Sequence, residues 1–169
     1  VKTDRGLIIE FQHSAMPLKE LHARETFYKN MIWIVDGRSF AKNFEIDKDP
    51  LPHPKSMLLD EIVFHSGLAA AFFKRSDLEN ESGTLYELHR SATIESEILR
   101  DYRGHHFYKW KRPREVWHQA SAPVFLDLGA SELIRLMRYN PKSQRCVQRV
   151  PKAALITKNG GRADLLNGA

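Results

Sequence analysis

The sequence predicts an α/β fold in which a mixed sheet is flanked by helices, and three features of residues 1–37 carry that expectation. Leu7-Ile8-Ile9-Glu10-Phe11 is a β-prone run. Leu18, Leu21, Glu25 and Tyr28 recur at steps of three, four and three, the spacing of one helical face. Met31-Ile32-Trp33-Ile34-Val35 is continuously apolar and closes on the turn pair Asp36-Gly37. A strand that is apolar at every position is expected to be buried on both faces. Strand, helix and strand therefore form a right-handed crossover unit with its two strands parallel.

The elements follow in order. Gly6, after Thr3-Asp4-Arg5, marks a reverse turn that folds a stump at Val1-Lys2 onto the first strand. Ser14 is the expected cap of the helix over 17–30, with Pro17 in its first turn. Pro50, Pro52 and Pro54 make a loop. Residues 56–101 read as mixed or helical, with Leu85–Leu88 and Thr93–Leu99 as short elements. A strand is expected over His106–Trp110, resuming at Val116-Trp117, and another over Pro123–Asp127. Leu133, Ile134, Leu136 and Met137 behind Ser131-Glu132 suggest a capped helix. Four regions result: a core at 1–37, an insertion or further elements of the same domain at 38–104, a basic β/helix region at 105–151, and a flexible tail at 152–169.

Composition bounds the function. The chain has 169 residues, 42% of them hydrophobic, enough for a sizeable core. Cys146 is the single cysteine, which excludes an intrachain disulfide and a cysteine-rich zinc site, and makes the cytoplasm the expected compartment. No basic leader or apolar stretch precedes the first strand, so no signal peptide is expected. The net charge of +5 is uneven. Residues 1–60 balance nine basic against nine acidic groups, whereas residues 101–169 hold thirteen basic and five acidic, a balance of +8. Lys109, Lys111, Arg112 and Arg114 lie together there, and such a field attracts phosphate backbones regardless of base sequence. An ordinary solvated surface accounts for it equally well.

Glu10-Phe11-Gln12-His13-Ser14, Arg24-Glu25-Thr26-Phe27-Tyr28 and Met31 through Gly37 together resemble the competence protein CoiA-like family, which belongs to the restriction-endonuclease-like PD-(D/E)XK group. Trp110-Lys111-Arg112-Pro113-Arg114, Trp117 and Pro123 through Asp127 resemble its later part. The resemblance touches 1–37 and 106–129. It implies a restriction-endonuclease-like mixed sheet, a Mg²⁺- or Mn²⁺-dependent endonuclease activity, a DNA partner and a role in DNA uptake or processing. By that pattern Glu10 is the acidic metal ligand, the Phe11 backbone carbonyl a further ligand, and Gln12 stands where the group has a catalytic lysine. The group's preceding aspartate is expected immediately ahead of Val1, so the core is expected to be N-terminally incomplete and this chain alone inactive.

The residues themselves leave alternatives open. Glu10 beside an apolar strand needs a partner or a role, because an unpaired carboxylate there is costly. Gln12 shares its face and can position water, or merely satisfy a strand edge. Arg24 can hold a phosphate or pair with Glu10. His13 faces away from Glu10 and suits a packing role, and Asp127 is either structural or a distant acidic site member. Phe107, Trp110 and Trp117 alternate with basic residues, the combination that holds single strands, yet aromatics packing the core explain the pattern as well. A non-catalytic nucleic-acid-binding protein and a protein-interaction domain stand beside the nuclease reading.

Overall fold

The computed structural model describes residues 1–65, 71–80, 83–87, 90–139 and 144–164. In chain order the strands are β1 (Ile8–Gln12), β2 (Met31–Asp36), β3 (Phe44–Ile46), β4 (Leu51–Pro52), β5 (Ile62–Phe64), β6 (Ala71–Lys74), β7 (Leu85–Glu87), β8 (Tyr102–Trp110), β9 (Val124–Asp127), β10 (Glu132–Arg138) and β11 (Arg145–Pro151). The helices are α1 (Leu18–Tyr28), α2 (Arg75–Glu79), α3 (Ala92–Asp101) and α4 (Lys152–Lys158). Multi-stranded sheet with flanking helices makes this a mixed α/β fold. The chain divides into two compact units. One contains Val1–Glu45, Trp110–Leu136 and Arg149–Ala169; the other contains Ile46–Lys109 and Met137–Gln148.

In the first unit β1, β2 and β9 are parallel, and β10 runs antiparallel to β9. Glu10 pairs with Trp33, and Trp33 with Val124, so these three share a face, the one α1 covers. The opposite face carries Ile32 and Phe125, which join Leu133, Ile9, Ile34 and Leu155 in one apolar cluster. The expected crossover unit is present, and β2 is buried on both sides at Met31, Ile32, Trp33 and Val35. Gly6 closes the first turn at φ 76°, and Val1 and Ile9 exchange backbone hydrogen bonds across it.

Four expectations are corrected. Ser14 does not cap α1: the N-cap is Pro17, and the Ser14 hydroxyl accepts a hydrogen bond from Gln12 instead. Val116-Trp117 does not resume a strand but lies in a 3-10 turn, Glu115–His118. Residues 132–138 are not a helix but β10, whose Ile134 pairs with Leu126 of the buried strand β9. Part of the expected tail is α4, made of the good helix formers Lys152-Ala153-Ala154-Leu155 behind Pro151.

In the second unit β8 pairs antiparallel with β11 and with β4, and β5, β6 and β7 form a three-stranded antiparallel sheet. Leu51, Leu58, Ile62, Phe64, Phe72, Ile98, Tyr139 and Cys146 make its core. The Tyr139 hydroxyl donates to the Pro52 carbonyl at 2.9 Å, which satisfies the one polar atom that ring brings inside. Among the described residues no helix is long and apolar enough to cross a membrane.

Candidate functional site

Glu10 sits in the middle of β1 with its side chain 19% exposed. Its Oε2 accepts a hydrogen bond from Arg24 at 2.9 Å, and the same guanidinium donates to Glu20 at 2.5 Å. Glu20 and Arg24 are four apart on α1, neighbours on one helix side. Burial opposes the Arg24 charge, but Glu20 and Glu10 outweigh it and hold its pKa above the ordinary value. Arg24 is thus anchored between two carboxylates, the pairing role that the sequence left open for it.

Gln12 points to the same face of β1 as Glu10. Its amide nitrogen donates to both the carbonyl and the hydroxyl of Ser14, each at 3.1 Å, and its amide oxygen is an acceptor. Ile9 directs its backbone groups away from β2, toward Val1. Alternation gives the Phe11 carbonyl the same outward direction, leaving it clear of the β1–β2 ladder.

Beyond Gln12 the parallel strands end in a second polar group. His13 Nδ1 lies 3.3 Å from Asp36 Oδ2, and Arg38 grips Asp36 through its backbone N–H and two side-chain nitrogens at 3.1, 2.9 and 2.7 Å. The Arg38 hydrogen bonds hold the Asp36 carboxyl well below the usual carboxylate range. Asp127, the partner of Asp36 in the β2–β9 register, accepts from Lys152 at 3.0 Å and from the Gly129 N–H at 2.9 Å.

A hard divalent cation wants near-octahedral oxygen coordination. Glu10, the Gln12 amide oxygen and the Phe11 carbonyl provide one charged and two neutral oxygens, and Arg24 already occupies one Glu10 oxygen. Among the described residues no group of three or more His, Cys, Asp or Glu side chains is gathered to hold a metal. Glu10, Gln12 and the Phe11 carbonyl by themselves therefore do not complete a Mg²⁺ site.

The basic stretch separates by role. Lys109, Lys111 and Arg112 are exposed, with Arg112 at φ 58° in the turn after β8. Arg114 folds back and places its guanidinium carbon 4.7 Å from the centre of the Phe40 ring. The aromatic rings are engaged in packing. Trp117 is buried against Trp33 at 5.7 Å, Trp110 stacks on Phe40 at 5.1 Å, and Phe107 joins the core of the second unit. They form no open stacking platform, whereas three of the four cations face solvent.

Sequence reasoning did not single out Glu25 as chemically important. This side chain is buried, and it accepts four hydrogen bonds: Trp33 Nε1 at 3.0 Å, Ala122 N–H at 3.0 Å, Ser121 N–H at 3.1 Å and Ser121 Oγ at 2.5 Å. Burial pushes its pKa up, but the bonds from Ser121, Trp33 and Ala122 prevail and hold it below the ordinary value. A carboxylate inside the stripe Leu18-Leu21-Glu25-Tyr28 was the signal, since a charge on a buried face demands partners. Comparison of the chain with protein families, curated proteins and solved structures finds no match.

Proposed function

We propose that this chain is a nuclease-like domain that handles DNA, with β1 as its acidic strand, Glu10 as its essential carboxylate and Gln12 as the residue that orients the attacking water. The reading rests on the resemblance of Glu10-Phe11-Gln12, Arg24–Tyr28 and Met31–Gly37 to the CoiA-like family. The observation that supports it most is local. Glu10 and Gln12 project from one face of a strand paired parallel to β2, and Glu10 is fixed rather than left to solvent. Arg24 holds that carboxylate in place and is a positioning residue. Lys109, Lys111 and Arg112 supply exposed cations for phosphate contacts that carry no base sequence. The expected setting is DNA uptake or processing, and the expected cation is Mg²⁺ or Mn²⁺, with further ligands from outside the set named above.

The test is cleavage of DNA by the protein with Mg²⁺ or Mn²⁺, and its loss on Glu10→Ala by at least 100-fold. Cleavage that is equal in the two proteins removes Glu10 from the reaction. A second reading, a nucleic-acid-binding protein without hydrolysis, draws on the Arg24–Glu10 bond, which competes with a cation for the carboxylate. Salt-dependent DNA binding with no cleavage under either metal selects it.

A further inference from the structure

On the sheet face opposite Glu10, the first unit contains a cavity of about 340 Å³. Its walls are Ile9 and Phe11 of β1, Ile34 of β2, Leu133 of β10, and Leu155 and Ile156 of α4. Apolar walls with a few convergent polar groups are the usual make-up of a small-molecule site, and the volume lies within the roughly 300–1,000 Å³ such sites span. Phe11 forms part of the wall yet is 54% exposed, so this large ring gains little from the fold as it stands. Removing that apolar surface from water is an incentive for a ligand to lie against it.

The polar end of the cavity gives the ligand its chemistry. Asp127 ends β9 and Lys152 begins α4, and both line the space. An ammonium has three donors. Lys152 donates to Asp127 at 3.0 Å, and an ammonium so held can still donate to a ligand. Asp127 Oδ1 already accepts from Lys152 and from the Gly129 N–H, and Arg38 also acts on that carboxylate electrostatically. Asp127 Oδ1 is thus engaged twice, and the Lys152 ammonium, held in place by that contact, is the cationic donor beside the apolar walls.

We propose that this cavity binds a small amphiphilic monocarboxylate, its apolar body between Phe11 and Leu155 and its carboxylate on Lys152. This site is separate from Glu10 and independent of any action on DNA.

The experiment uses the whole chain, 8-anilinonaphthalene-1-sulfonate as fluorescent probe, and decanoate and decanol as competitors. The expected result is one-site probe binding that decanoate displaces at least ten times more effectively than decanol. Lys152→Met should abolish that preference while decanol competition stays unchanged. Leu155→Glu should eliminate probe binding by placing a like charge against the anionic probe in the cavity. Phe11→Ser, at a position already half exposed and therefore safe for folding, should weaken probe and decanoate alike by at least fivefold. Absence of probe binding to the unmodified chain, equal competition by decanoate and decanol, or a Phe11→Ser protein that binds as well as the parent each overturns the proposal.

Discussion

Replacing Glu25 by glutamine changes almost no volume and removes one charge, so its cost can be worked from the hydrogen bonds. The amide oxygen of glutamine can take over the bonds from Trp33 Nε1 and Ala122 N–H, both now made to Oε1. The amide nitrogen then occupies the place of Oε2 and meets the Ser121 N–H as donor against donor, while the Ser121 hydroxyl can rotate and accept. One backbone donor is left unsatisfied, roughly 1–3 kcal/mol, and the surviving bonds lose their charge-assisted strength. We expect a loss of roughly 2–3 kcal/mol at pH 7, a fall in melting temperature on the order of 5–10 °C for a chain of this size. The pH dependence gives a second check. The folded-state pKa of Glu25 is lowered, so the wild-type advantage is complete above the unfolded carboxyl value of about 4.3 and is lost as pH falls through the folded value. Thermal melts followed by circular dichroism at pH 7 and pH 3.5 measure both effects. Melting temperatures within 1 °C of each other at pH 7, or a gap that does not shrink in acid, would refute the account of α1 docking through this carboxylate.

Further outcomes are expected. Neutralising Lys109, Lys111 and Arg112 together should weaken DNA binding and reduce the slope of log affinity against log salt by about 2–3, near one unit for each phosphate that is no longer neutralised. An unchanged slope in a fluorescence-anisotropy titration would place the DNA elsewhere. Trp117→Ala should cost roughly 3–5 kcal/mol, because it empties a fully buried site against Trp33. Chemical denaturation measures that loss, and a change below 1 kcal/mol would mean the site refills.

The crossover unit was legible in the sequence because every level agreed there: β-prone run, helical face, doubly apolar strand. The helix face also included Glu25, although its four partners come from residues that only the fold brings near. β10 was misjudged for a physical reason. Leu133, Ile134, Leu136 and Met137 fit a helical stripe, but Val124–Leu126 is a buried strand whose backbone groups need hydrogen-bonding partners on both sides. β2 provides one side and β10 the other, and that demand overrides local capping signals. The Ser14 cap failed because the helix starts four residues later, at Leu18, with the hydroxyl already engaged by Gln12. The glycines after Lys158 suggested a loose end, whereas Leu155 docks on the apolar cluster and gives α4 a reason to form. At the candidate site, the Glu10–Arg24 contact was among the foreseen options. The His13–Asp36–Arg38 group depends on two strand ends meeting, which spacing along the chain does not reveal.

The only thiol of the molecule is fully buried in the core of the second unit, and burial pushes its pKa up to about 12. Since the thiolate is the reactive form, the folded protein should ignore alkylating reagents and mild oxidants at neutral pH. Cys146 is consequently an internal clock. The rate at which it is alkylated reports how often that core opens, and a substitution that loosens β8 or β11 would announce itself as faster labelling before any loss of secondary structure is visible.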